Sequence, residues 1–185
     1  MKVIQKLLNG VALLEPIVFS DERGYFTESY NKQVFKELGY GYDFIQDNHS
    51  LSIRAGVIRG LHYQLNDKAQ TKLIRVTKGA IYDVIVDIRK GSPSFGEWKG
   101  IILTADNKRQ LLVPAGFAHG YCTLVDCTEV QYKVDEYYSP KHERCILWND
   151  PTLRIDWPVS QPIVSEKDSK GSSLDDAEID FSWER

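Results

Sequence analysis

Residues 82–89 alternate strictly: Tyr82, Val84, Val86 and Ile88 fall on one side, and Asp83, Ile85, Asp87 and Arg89 on the other. A period of two belongs to a β-strand, because successive side chains leave a pleated backbone on opposite faces. The run predicts a half-buried strand. Leu73–Thr77 is similar, and Lys78-Gly79 makes the turn between the two. Arg109–Val113, His119–Val125 and Thr128–Glu136 are further short strands, divided by Pro114-Ala115-Gly116 and by Asp126-Cys127. Many short strands at this spacing constrain the chain to an all-β sandwich or barrel.

Helical signals are few. Asn31–Leu38 is the best early one: Asn31 is a capping residue, Val34, Phe35 and Leu38 share a face, and Gly39 stops it. Ser165–Asp168 is expected to open a short helix, with the acidic stretch beyond Gly171 packing loosely. Residues 1–30 hold strand-like pieces around a turn at Asp21-Glu22-Arg23-Gly24.

The 185 residues suit one domain. A chain of this size buries roughly 70% of its unfolded surface, so its core needs neither disulfide nor metal. Cys122, Cys127 and Cys145 are odd in number and form no Cys-x-x-Cys pair, as expected of reduced thiols. A net charge of −3 gives no basic excess for nucleic acid or a membrane surface. The apolar run Val11–Leu14 is cut by Glu15 and Pro16, too short for a signal core. No stretch approaches the roughly 20 apolar residues of a membrane span. The expectation is a cytoplasmic protein.

Two histidines follow glycine-containing turns among strand-forming residues: His62 in Arg59-Gly60-Leu61-His62-Tyr63-Gln64, and His119 in Pro114-Ala115-Gly116-Phe117-Ala118-His119. Their surroundings partly match the two-block metal pattern of cupin barrels. Five residues separate Gly56 from His62, and Pro114-x-Gly116-x-x-His119 is intact. Gln64 holds the second ligand position and Lys72, separated from Gly79 by six residues, holds the glutamate position. An ammonium repels a divalent cation, and two imidazoles rarely hold one tightly. A metal is therefore not expected. What remains is a pocket with a base, a fixed cation and a second imidazole.

Longer motifs carry a closer resemblance. Ser20–Phe26, Gln46–Ser50, Gly56–Gln64, Pro114–Gly120, Tyr132–Pro140 and Ser165–Asp168 resemble the dTDP-4-dehydrorhamnose 3,5-epimerase family over about residues 3–175. The resemblance implies a metal-free cupin jelly roll as a single domain over 1–185. It implies N-terminal arm strands (about 1–30) exchanged in a homodimer, a short helical tail (about 165–185) and no cofactor. The implied reaction converts dTDP-4-dehydro-6-deoxy-D-glucose to dTDP-4-dehydro-β-L-rhamnose, in dTDP-L-rhamnose synthesis.

Inverting a carbon beside a ketone needs a base, a group that stabilises the enolate oxygen and an acid on the opposite face. His62 matches the family's base, Asp168 its partner carboxylate, Lys72 the cation at the C4 oxygen and Tyr132 the acid. On the residues alone, Asp168 also fits a rough capping box with Ser165, and Tyr132 also fits a strand tyrosine packed in phase with Val130 and Val134. Arg23 and Arg59 match the diphosphate cations, and Tyr138 the surface that stacks on thymine. Phe26 and Glu28 match residues that the crossing arm brings to the base. Gln46, Asp47 and Asn48 are expected to line the same cleft, with Glu143 and Lys167 as further substrate contacts and His119 supporting substrate or a water. Relatives that invert one carbon or move the ketone between C3 and C4 are the first alternative. A non-catalytic sugar-nucleotide-binding cupin is the second.

Overall fold

A computed structural model describes residues 1–183. The strands are β1 (Lys2–Leu7), β2 (Val11–Glu15), β3 (Phe19–Asp21), β4 (Gly24–Phe26), β5 (Gln46–Ser52), β6 (Val57–Gln64) and β7 (Lys72–Lys78). They continue with β8 (Ala80–Asp87), β9 (Trp98–Thr104), β10 (Gln110–Val113), β11 (Phe117–Thr123), β12 (Thr128–Val134), β13 (Glu143–Cys145) and β14 (Ile163–Val164). One sheet has the order β1-β2-β10-β7-β12-β5 and the other β13-β6-β11-β8-β9. Within both sheets neighbouring strands are antiparallel; β14 adds to β6 in parallel. The expected all-β double-sheet architecture is what forms.

The sheets face each other across Leu13, Ile74, Leu111 and Val130 from the first and Ile81, Ile85, Leu103 and Phe117 from the second. Each such side chain, fully buried, contributes about 1.5–3 kcal/mol relative to exposure. The outer face of the first sheet is covered by α1 (Lys32–Glu37), whose Phe35 packs with Leu14, Leu73 and Leu112. Asn31 caps α1 by accepting from the Gln33 and Val34 N–H groups, and Gly39 ends it with φ +88°. This is the helix the sequence marks.

Strand β8 differs from expectation. It is buried on both faces, because Val84 and Val86 lie under a C-terminal segment that includes Ile146, Trp157, Leu174 and Ile179. Its other side, which carries Asp83 and Asp87 with Ile81 and Ile85, faces the first sheet, so both aspartates are interior at 0% exposure. The stretch beyond Gly171 does not pack loosely: Leu174 and Ile179 enter this core, and Lys90 and Phe181 share a backbone hydrogen bond. Its apolar residues are too widely spaced to show a period, and they act singly as plugs. The helix after Ser165 is one 3₁₀ turn, Asp168–Lys170. Among the described residues no helix is long and apolar enough to cross a membrane.

Beneath the site, β6 and β11 approach closely at Gly60, where φ is +121°. A Cβ there would stand 2.5 Å from the Gly120 Cα and 2.6 Å from the His119 carbonyl oxygen. Both are backbone atoms and cannot rotate away. Gly60→Ala is expected to lower stability by about 3 kcal/mol or more, read from urea unfolding. An unchanged midpoint would show that the two strands can separate freely here.

Candidate active site

A cavity of about 570 Å³ opens between the two sheets. It is lined by Arg59, His62, Lys72, His119, Tyr132, Tyr138, Glu143, Lys167 and Asp168. Nine of the residues singled out from sequence thus converge on one space. Strand geometry explains part of this. His62 on β6 and His119 on β11 are register partners in one sheet. Lys72 and Tyr132 stand on β7 and β12, which are neighbours in the facing sheet.

His62 Nε2 lies 2.7 Å from Asp168 Oδ1, and the other Asp168 oxygen accepts from the Gly60 N–H at 3.1 Å. Burial pushes the Asp168 carboxyl up, but the hydrogen bond and charge of His62, with the Gly60 and Ser165 bonds, outweigh it. The group therefore sits below the usual carboxylate range and is ionised at neutral pH. Only half of the capping box forms: Ser165 Oγ accepts from the Asp168 N–H at 3.1 Å, while the carboxylate turns to His62 and Gly60.

Lys72 reaches the backbone oxygen of His62 at 3.4 Å. Burial lowers its ammonium to about 8, against the opposing pull of Glu143 and Asp83. Tyr132 is pushed above its ordinary value, chiefly by burial, so its phenol keeps its proton at neutral pH. His119 pairs with Asp83, Nε2 to Oδ1 at 2.9 Å. The sequence reading passed over Asp83. A carboxylate on the same strand face as Ile85, beside the histidine strand, was the available sign.

At the mouth, Glu143 Oε2 accepts from Tyr138 at 2.6 Å and from Lys167 at 2.5 Å. Burial alone would raise Glu143; Lys167 and Tyr138 reverse this and keep it an anion. Arg59 donates to Ser52 Oγ and the Leu51 carbonyl. Ser50 and Tyr121, also missed from sequence, meet at 3.0 Å in the same cavity.

Of the four cupin ligand positions, Gln64 turns away. It donates to the Lys68 and Tyr137 carbonyls and accepts from the Ser139 N–H. It serves as a staple between loops, while the other three positions face the cavity.

Other expected contacts are not assembled by one chain. Arg23, exposed and paired with Asp21 at 2.5 Å, sits with Phe26 on the β3–β4 hairpin. Glu28 accepts from Asn31. Gln46 bonds Asn48, while Asp47 pairs with Lys133. Asp47 and Asn48 line a smaller cavity of about 180 Å³, which Tyr132 also borders.

The model of the family described as dTDP-4-dehydrorhamnose 3,5-epimerase matches residues 5–176. A Pseudomonas aeruginosa dTDP-4-dehydrorhamnose 3,5-epimerase is 52% identical over 180 residues, covering 96% of this chain and 98% of the relative. A crystal structure of the Bacillus anthracis enzyme with TDP and PPi bound is 61% identical, with a TM-score of 0.92 over 93% of this chain and 98% of that one. The Legionella pneumophila enzyme in complex with dTDP-4-keto-L-rhamnose is 42% identical, with a TM-score of 0.93 over 100% of this chain and 99% of that one. With sequence matching over nearly the whole length, and the same double-sheet fold, this chain belongs to the dTDP-4-dehydrorhamnose 3,5-epimerase family.

Proposed function

We propose that the cavity inverts C3 and C5 of dTDP-4-dehydro-6-deoxy-D-glucose to give dTDP-4-dehydro-β-L-rhamnose, with His62 as base, Lys72 at the C4 oxygen and Tyr132 as acid. The chain is an epimerase, of the isomerase class. The observation that carries the residue roles is the placement of His62 on one sheet and Tyr132 on the facing sheet around one space. Inversion demands a proton taken from one face of the sugar and returned to the other. A base and an acid on opposed walls do this without turning the ring.

Asp168 engages Nε2 of His62, so the ring's other nitrogen, Nδ1, takes the α-proton. The imidazolium that forms is stabilised by the ionised carboxylate. Electrons from the broken C–H bond move to the C4 oxygen, where Lys72 stands. A fixed ammonium in a largely dry pocket offsets that charge by several kcal/mol. Tyr132 then gives its proton to the carbanion carbon from the far wall and regains one from solvent. Carbons 3 and 5 both flank C4, so one cation serves both inversions. The steps move protons with no net redox change, and no cofactor has a role in them.

Arg59 and Lys167 at the mouth suit a diphosphate, and Tyr138 suits a flat base. Arg23, Phe26 and Glu28 reach such a ligand in a homodimer, as an arm from a second copy. Phe19, Tyr25 and Phe26, exposed by 63%, 60% and 65%, make a hairpin apolar enough to need a partner surface.

Incubation with substrate in deuterated water tests the reading. The unaltered protein is expected to incorporate deuterium at both C3 and C5. Tyr132→Phe should keep exchange within about tenfold while inverted product falls by about 10²-fold or more. Full double epimerisation by Tyr132→Phe would remove the tyrosine from the acid role.

A further inference from the structure

Strand β13 brings a residue to the dyad that the reaction does not use. Cys145 is the register partner of His62. A ring nitrogen of His62, the Cys145 sulfur and an Asp168 carboxylate oxygen all lie within 4.8 Å of one another. Asp168 is buried and the other two are partly exposed. Nitrogen, thiolate and carboxylate at this separation are the donors of a tetrahedral zinc site, in which metal–ligand bonds are about 2.0–2.3 Å and the fourth position is open. We infer that His62, Cys145 and Asp168 form a site for zinc, or another thiolate-seeking divalent cation, that blocks the catalytic dyad.

The site differs from the cupin metal position. That position is built from the places of His62, Gln64, Lys72 and His119, and is disabled by the turned-away amide and the lysine. The new site uses only His62 from that set. It is completed by a cysteine from β13 and a carboxylate from the turn after β14.

Occupation changes the protonation of the dyad in a defined way. The metal replaces the hydrogen bond between His62 Nε2 and Asp168. The single imidazole proton then resides on Nδ1, and the thiol proton goes to solvent. Nδ1, now protonated, cannot accept the substrate's α-proton. Burial holds the free Cys145 thiol up at about 12, so it is a poor nucleophile and a poor redox sensor without a metal. A bound cation supplies the charge that a coordinating thiolate needs.

The inhibitory effect rests on His62 being the base; the binding does not, and two readouts separate them. Metal-free protein titrated with Co²⁺ is expected to develop a sulfur-to-cobalt charge-transfer band. Cys145→Ala should lose the band, while Cys127→Ser, which alters the exposed thiol, should keep it. In epimerase assays with Zn²⁺, Cys145→Ala should retain basal turnover and need at least about tenfold more zinc for half-inhibition. Cys145→Ser provides a second variant of nearly the same size. Absence of the band in the unaltered protein, or Cys145 variants as sensitive to zinc as the unaltered protein, would overturn the site. A Cys145-dependent band on a protein that still turns over with cobalt bound would support the site and remove His62 from the role of base.

Discussion

His62→Ala is expected to abolish deuterium exchange at both C3 and C5, with turnover falling by about 10³-fold or more. A positioned general base contributes roughly 10²–10⁴-fold. Here it also has a buried carboxylate, at 2.7 Å, that favours the imidazolium once the proton has moved. The loss should strike both carbons together, because one imidazole on one wall serves both positions beside the ketone. NMR of the substrate in deuterated water reads each carbon separately. Asp168→Asn should be impaired at both carbons as well, since it withdraws the negative charge that the imidazolium needs. If exchange survived at one carbon in His62→Ala, a second base would be required. His119, paired with buried Asp83 in the same cavity, would then be the group to pursue.

That second pair shows where sequence reading runs out. The alternation through residues 82–89 correctly yields a strand, but whether its polar side meets solvent or another sheet depends on what packs on each face. Trp157 and Ile179, distant in sequence, cover Val84 and Val86, while the Asp83 side, shared with Ile81 and Ile85, faces the first sheet. No local period carries that information. His62 and Asp168 illustrate the same limit. The histidine stands out beside its glycine turn. Its partner lies 106 residues further on, in a turn whose local chemistry is fully explained by Ser165 capping. Only the family motif joined them, and the structure lets the capping and the pairing coexist. In the sequence Gln64 is only a lost ligand position, and what it does instead is not legible there: three backbone partners, contributed by loops around Lys68 and Tyr137–Ser139, make it a staple. Helix α1 was legible throughout, because cap, apolar face and stop signal all lie within nine residues, Asn31–Gly39.

Lys72→Met is expected to lower turnover by about 10²–10³-fold while leaving nucleotide binding within a few-fold. Removing one preorganised group from a developing oxyanion costs that much in comparable sites. Methionine keeps the length and apolar stem of the side chain while deleting the charge. Its pH profile separates this role from a packing defect. The ammonium is lowered from 10.5 to about 8 by burial, so the cation is present below that pH and lost as pH rises through it. Turnover of the unaltered enzyme should therefore fall on the alkaline side near pH 8. The Tyr132 phenol is displaced upward from 10.0, so the acid is still protonated where this limb begins and does not cause it. In Lys72→Met the limb near pH 8 should vanish, leaving a low, flatter profile that declines only as the phenol ionises. A Lys72→Met enzyme that kept both the rate and the limb would place the enolate charge on another group. His119, held by buried Asp83 in the same cavity, would be the first donor to test, and its substitution would then have to carry the loss.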